Sequence, residues 1–203
     1  AIRYIKSLAG GYLSIPFDAA PEKFWRLAFP LPYRSAVEMN SRLRSLDPYM
    51  VAALIRQESE FNPQALSRVK AYGLTQVMPS TGRELSRKLG VRKFTAKMLF
   101  QPDINLKLGT YYLRSLLDQL GGEWETTLAS YNAGKSRVLT WLNWARYEEP
   151  AEFIETIPFT ETRNYVQIVL RNADVYRRLY GPKQAAVTST NGLNSRRIRA
   201  IGN

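Results

Sequence analysis

The stretch Asp47-Pro48-Tyr49-Met50-Val51-Ala52-Ala53-Leu54-Ile55-Arg56-Gln57-Glu58-Ser59-Glu60-Phe61-Asn62-Pro63 decides how this chain is read. Asp47 and Pro48 suit the N-cap and first position of a helix. Val51, Leu54 and Ile55 then fall at the i, i+3, i+4 spacing of a buried face, and the i+7 position of that stripe is Glu58. A carboxylate is thus directed where the core should be. Burial disfavours its charged form and raises its pKa, by roughly 3–5 units in extreme cases, which is the adjustment a general acid needs near neutral pH. Glu60 sits about 200° further round and is expected to face away. Phe61-Asn62-Pro63 stops the helix, putting the Glu58 carboxyl at a rim. The plain alternative is a half-exposed glutamate paired to a nearby Arg. Against it, Ser67, Gln76 and the Gly73-Leu74 turn supply short polar groups and a backbone approach point just downstream.

Outward from this segment the pattern is helical. Pro21-Glu22 opens a short aromatic-rich helix ending near Phe29-Pro30, and Tyr33 to Ser45 reads as another, with Val37, Met39, Leu43 and Leu46 as its apolar residues. Further helices are expected over about 80–89, 103–120, 123–132, 135–146 and 160–180, punctuated by glycines. Only 69–78 departs from this, as a small hairpin or irregular loop near the active site. The fold class is therefore mainly α. Residues 1–32 read as an N-terminal arm or connector, the first twenty of them without a sustained helical period, 33–181 as the main domain, and 182–203 as a flexible basic tail.

The chain of 203 residues has 45% hydrophobic and 23% charged residues, the composition of a globular domain. No apolar run reaches the roughly 20 residues that span a bilayer. No basic stretch followed by an apolar run opens the chain, so either a leader has been removed or this is part of something longer. With no His and no Cys, a Ser-His-Asp triad, a thiol nucleophile and the usual zinc sites are excluded. Proton transfer falls to a carboxylate, Tyr or Lys, and no metal or other cofactor is expected. The charge of +12 favours a polyanionic partner without identifying it.

Four motifs in order give the chain a family. The segment 53–63 resembles the Glu-Ser motif of the soluble lytic murein transglycosylase family, and Gly73-Leu74-Thr75-Gln76-Val77-Met78-Pro79 its Gly-Leu-Met-Gln motif. Ser130-Tyr131-Asn132-Ala133-Gly134 is similar to its Ala-Tyr-Asn-Ala-Gly motif, and 155–166, Glu155 to Val166, to the segment that closes the groove. Lys70 stands where the family usually has Gly, and Thr75 where it usually has Met. The resemblance spans roughly 33–181 and implies a lysozyme-like catalytic domain in the periplasm or cell envelope of a bacterium. It implies Glu58 as the catalytic acid/base and Ser59, Ser67, Gln76, Met78, Tyr131, Asn132, Glu155 and Tyr165 as substrate-binding residues. By spacing, Tyr131 continues the stripe of Trp124 and Leu128, which holds its ring in the core while its hydroxyl reaches toward the cleft. Trp141 and Trp144, three apart on one helix, suit core packing better than sugar stacking.

The chemistry that the resemblance implies is cleavage of the MurNAc-GlcNAc β-1,4 bond without water, to 1,6-anhydro-MurNAc ends. It accounts for the lack of a second acidic residue with a comparable case, since ordinary glycosidases need two carboxyl groups. The implied partners are peptidoglycan glycan strands and an acidic cell wall polymer. No motif for reading nucleic acid is present, and envelope protein partners stay open. The alternatives are a goose-type lysozyme-like hydrolase of the same bond, a non-catalytic wall-binding module, or a basic helical nucleic-acid binder supported by charge alone.

Overall fold

Every residue from Met50 to Arg56 is buried in the computed structural model, which describes residues 2–12 and 15–182. The helices among these are α1 (Ile2–Leu8), α2 (Glu22–Ala28), α3 (Arg34–Leu43), α4 (Pro48–Ser59), α5 (Pro79–Lys88), α6 (Pro102–Gln119), α7 (Trp124–Ala133), α8 (Lys135–Leu142), α9 (Pro150–Thr156) and α10 (Thr160–Tyr180). Two 3-10 turns, Phe17–Ala19 and Ala96–Phe100, complete the set. The mainly α expectation holds. The segment 69–78 is an irregular loop with two isolated bridges, Leu66 to Tyr72 and Tyr72 to Val77.

The central helix, α4, starts as its sequence requires. Asp47 Oδ1 accepts from the Tyr49 amide at 2.9 Å, and Arg177 on α10 grips the other oxygen of the same carboxylate at 2.7 and 2.9 Å. The N-cap is thereby tied to the helix that packs most extensively along α4. At the other end Glu60 and then Phe61 adopt positive φ (51° and 62°), which ends the helix before Pro63 is reached. Two successive left-handed non-glycine residues cost about 1–3 kcal/mol each and persist only where packing overrides them. Here Phe61 is buried against Tyr176.

Most side chains of the interior form one cluster around α4, α7 and α10. A smaller cluster of Val77, Leu85, Leu99 and Leu108 fills a second lobe made by α5, the Ala96–Phe100 turn and the first half of α6. The loop from Asn62 to Met78 connects the two.

Several sequence expectations are corrected. The first twenty residues contain α1, whose Ile2 and Ile5 are buried. A seven-residue helix offers too few turns for a period to register, and its stability comes from packing. In α3 the buried residues are Val37, Asn40 and Ser41, while Met39 and Leu43 are exposed. The helix expected over 135–146 ends at Leu142, and α9 follows where none was expected. Pro150 occupies its first position, and the Glu152 carboxylate accepts from the Glu148 and Glu149 amides. Nearly all of the basic tail expected over 182–203 lies outside the described residues.

One buried side chain organises the connecting loop. Asn105, on α6, is fully buried; its Oδ1 accepts from the Thr75 amide (2.9 Å) and hydroxyl (2.6 Å), and its Nδ2 donates to the Tyr72 and Leu99 carbonyls (2.8 Å each). Gly73 leaves the room this needs. A Cβ there would stand 2.1 Å from the Leu99 carbonyl oxygen and 2.5 Å from Asn105 Nδ2, at a φ of +73°. Replacing Asn105 with Leu leaves the Leu99 carbonyl and the Thr75 amide and hydroxyl without this partner, each worth about 1–3 kcal/mol when buried, while the Tyr72 carbonyl keeps the Val77 amide at 3.1 Å. Denaturant unfolding of Asn105→Leu is therefore expected to show a loss of about 3 kcal/mol or more, and a loss below about 1 kcal/mol would show that Asn105 does not hold the loop.

Candidate active site

The stripe that carries Glu58 delivers it to the end of α4, where the main cluster meets the loop. Glu58 itself is half-buried, but protein surrounds its carboxyl, and burial pushes its pKa up from 4.5 to about 7. A single hydrogen bond opposes that shift: the Tyr165 hydroxyl donates to Glu58 Oε1 at 2.5 Å, which favours the carboxylate and keeps the pKa from rising further. Tyr165 comes from α10 and is buried, with its own pKa pushed well above 10 by burial first and by the Glu58 charge second. Tyr131, on α7, sits close enough for the same charge to raise its pKa too, again after burial. Three helices thus bring one carboxyl and two tyrosines together.

The remaining residues singled out from the sequence divide by what they touch. Ser59 donates to the Leu74 carbonyl at 2.7 Å, and Tyr131 donates to the Thr75 carbonyl at 2.7 Å, so both fix the loop against the helices. Gln76, held at a φ of +49°, donates to the Gly73 (2.8 Å) and Ala65 (3.3 Å) carbonyls. Ser67 accepts from the Ala71 amide at 2.9 Å. Met78 is exposed at the start of α5. Asn132 accepts from Thr162 at 2.7 Å, a clamp between α7 and α10. Glu155 is exposed on α9 and accepts from Gln167 at 3.4 Å. Trp141 is buried and Trp144 exposed.

An open cavity of about 630 Å³ borders the end of α4, lined by Gln57, Glu58, Ser59, Glu60, Asn62, Gln64, Ala65 and Leu66. Glu60 therefore reaches this cavity as well as Glu58, a correction to its expected orientation; the left-handed turn redirects it. Its carboxylate is engaged by Lys6 on α1.

The sequence reading missed Asn105 and Arg56. Asn105 left one signal, an amide on an otherwise apolar helical face. Arg56 is 3% exposed two residues before Glu58. It donates to the Ala28 carbonyl (3.1 and 3.3 Å) and to the Tyr12 hydroxyl, and lies 4.1 Å over the Phe29 ring. It locks the N-terminal segment to the back of the helix that carries Glu58, on the side away from the cleft. Nothing in the spacing of one Arg on a helix distinguishes this from an exposed charge.

The transglycosylase SLT domain matches residues 35–154, and the soluble lytic transglycosylase helical domain matches 156–184. The chain is 36% identical to the soluble lytic murein transglycosylase of Salmonella typhimurium over 164 residues, 80% of this chain and 25% of that protein. A putative soluble lytic murein transglycosylase of Haemophilus influenzae is 34% identical over 94% of this chain and 33% of its own length. Among solved structures, an inactive Glu-to-Gln mutant of a lytic transglycosylase from Pseudomonas aeruginosa superposes with a TM-score of 0.78 at 37% identity, over 90% of this chain and 28% of that one. The 70 kDa soluble lytic transglycosylase of Escherichia coli gives 0.74 at 35%, over 79% and 26%. The chain spans about a quarter to a third of the length of these relatives. The helical architecture and these superpositions agree with a lysozyme-like fold, and the match over more than half of its residues means that the chain belongs to the transglycosylase SLT domain family.

Proposed function

We propose that this domain is a peptidoglycan lytic transglycosylase, which cleaves the β-1,4 bond between N-acetylmuramic acid and N-acetylglucosamine and leaves a 1,6-anhydro end. The observation that carries the reading is the carboxyl of Glu58, poised at a pKa of about 7 by burial and held by one tyrosine at an open cavity. At that value both protonation states are accessible near neutral pH, as a group that first gives and then takes a proton requires.

The protonated carboxyl of Glu58 gives its proton to the glycosidic oxygen as the bond from that oxygen to C1 of the muramic acid breaks. The C6 hydroxyl of the same sugar then bonds to C1, and its proton returns to the Glu58 carboxylate, which resets the enzyme. Because the nucleophile is tethered to the reacting sugar, its effective concentration is high and no second carboxylate is needed to activate water. The engagement of Glu60, the other carboxylate at the cavity, by Lys6 fits this economy. Tyr165 orients Glu58. Gln76 and Tyr131 keep the loop in place and, with Ser59, Ser67, Met78, Asn132 and Glu155, border the path of the glycan. The inactive Glu-to-Gln mutant of the similar Pseudomonas enzyme supports a glutamate in the central role. Peptidoglycan as substrate also places the working site in the cell envelope.

Glu58→Gln is expected to lose at least about 10²–10⁴-fold in turnover of purified peptidoglycan, the range typical of one general acid–base group, while still binding glycan. Mass spectrometry of the wild-type products decides the reaction type. Anhydromuropeptides are expected, and a reducing muramic acid end in their place would make the domain a hydrolase.

The pH dependence has a definite sign. Turnover begins with protonated Glu58, so it should fall as pH rises through about 7. Tyr165→Phe removes the bond that favours the carboxylate, so the alkaline limb of the rate profile should move to higher pH; a limb that stays fixed or moves down would dissociate Tyr165 from Glu58. Stability follows the same proton. The folded state holds it more tightly than the unfolded chain, so the wild type should lose stability as pH rises from about 4.5 to about 7. Glu58→Gln lacks this loss and should be the more stable protein at pH 8, by about 1–3 kcal/mol, in thermal or denaturant unfolding.

A further inference from the structure

The charge of this chain is concentrated in one place. Residues 61–102 contain eight Lys and Arg against Glu84 alone, and residues 183–203 contain four and no acid. The remaining residues, 1–60 and 103–182, hold seventeen of each sign but for one acid fewer, a net charge of +1. Of the +12 total, +7 therefore belongs to the second lobe and the loop that leads into it. All eight of these cationic side chains are exposed. Arg83 and Arg87 share one face of α5, opposite the Gly82, Leu85 and Ser86 side that packs inward, and Arg92 and Lys93 follow in the turn after it. Glu84 is engaged by Lys88 at 2.7 Å, and Asp103, exposed in the first turn of α6, is offset in charge by Lys107 one turn on.

This lobe adjoins the cleft. The loop that carries Arg68 and Lys70 also supplies Leu66 to the cavity at Glu58, and it runs through Gln76 and Met78 directly into α5. The tight turn at its tip is closed by the Lys70 amide donating to the Ser67 carbonyl (3.0 Å), and Lys70 holds a φ of +62° that a non-glycine residue adopts only at a cost. A polymer lying in the cleft with charged side branches would pass this wall.

We propose that the second lobe is a carboxylate-binding surface that engages the peptide branches of the peptidoglycan strand beside the cleft. The inference rests on the transglycosylase reading for its choice of polymer. The stem peptides of peptidoglycan carry free carboxylates at regular intervals along the glycan, so several weak exposed ion pairs act together. Each such pair contributes little alone and is screened by salt. Their sum holds the enzyme on the wall without tightening the catalytic subsites.

The test compares two fourfold variants of this chain. One is Arg83→Gln/Arg87→Gln/Arg92→Gln/Lys93→Gln in the lobe. The other is Lys23→Gln/Arg42→Gln/Arg146→Gln/Arg171→Gln, an equal charge loss at exposed positions elsewhere. Binding is read by co-sedimentation with purified peptidoglycan freed of phosphate polymers, with the same material after its carboxyl groups are converted to amides, with anionic phospholipid vesicles and with duplex DNA, at low and high salt. The lobe variant should bind intact peptidoglycan about tenfold more weakly than wild type, with a shallower salt dependence, while the control set changes binding less than twofold. Amidated peptidoglycan should bind wild type and lobe variant equally weakly. Both variants should turn over short peptide-free glycans at the wild-type rate. Equal losses in the two sets would overturn the proposal, as would undiminished wild-type binding to the amidated material. Tighter wild-type binding to vesicles or to DNA than to peptidoglycan would instead assign the lobe to a membrane or to nucleic acid. Failure to form anhydro products would count against the catalytic reading alone, because sedimentation does not depend on turnover.

Discussion

The burial of one carboxyl at the end of a helix is the constraint around which this structure is arranged. A glutamate taken out of water without compensation gives up its charge, and Glu58 does so in part: its pKa rises to about 7 and stops there because Tyr165 donates to it. Had the carboxyl remained in full solvent it would be a permanent anion at neutral pH. Had it been paired with Arg56, two residues away, it would be a stronger one. The helix turns Arg56 to the opposite side, where two oxygen acceptors and the Phe29 ring hold its guanidinium. Separating these two charges across one helix is what lets α4 be buried along most of its length and still end on a titratable acid.

Holding that acid steady falls to the loop between the two lobes. Its backbone groups from Tyr72 to Thr75 are satisfied from the helices, by Asn105 from α6, by Ser59 from α4 and by Tyr131 from α7. Buried backbone groups without such partners would destabilise the fold, so the loop has little freedom to drift. Thr75 shows how local the accommodation is. Its hydroxyl bonds Asn105, and a Cβ on Gly109 would stand 2.1 Å from it, so the small residue on α6 and the hydroxyl on the loop fit each other. A polar Thr at this position is thus part of the packing and not an exposed departure.

The two lobes differ in electrostatics as well as in core. The main body is nearly neutral, while the smaller lobe carries most of the positive charge that lies outside the C-terminal residues. A uniform excess of Lys and Arg would act chiefly on solubility. Concentrated beside a cleft, the same charge produces a directional field that favours anionic polymers on one side of the site.

The sequence by itself determined the helical class, the start of α4 at Asp47-Pro48 and the position of Glu58 on a buried stripe, because capping chemistry and a 3.6-residue period are local properties. It also set 69–78 apart as a small hairpin or irregular loop, and the structure shows the irregular loop. It did not determine α1 or α9, each of seven residues and held by packing, nor which side of α3 is buried, since that helix lays Asn40 and Ser41 inward and Met39 and Leu43 outward. The partners of Glu58 are likewise a matter of tertiary structure: Tyr165 lies 107 residues further along the chain, and only the packing of α10 on α4 brings its hydroxyl to the carboxyl. A periodic pattern shows that a residue points inward. What it meets there depends on which helices share the core, and that is fixed by long-range packing.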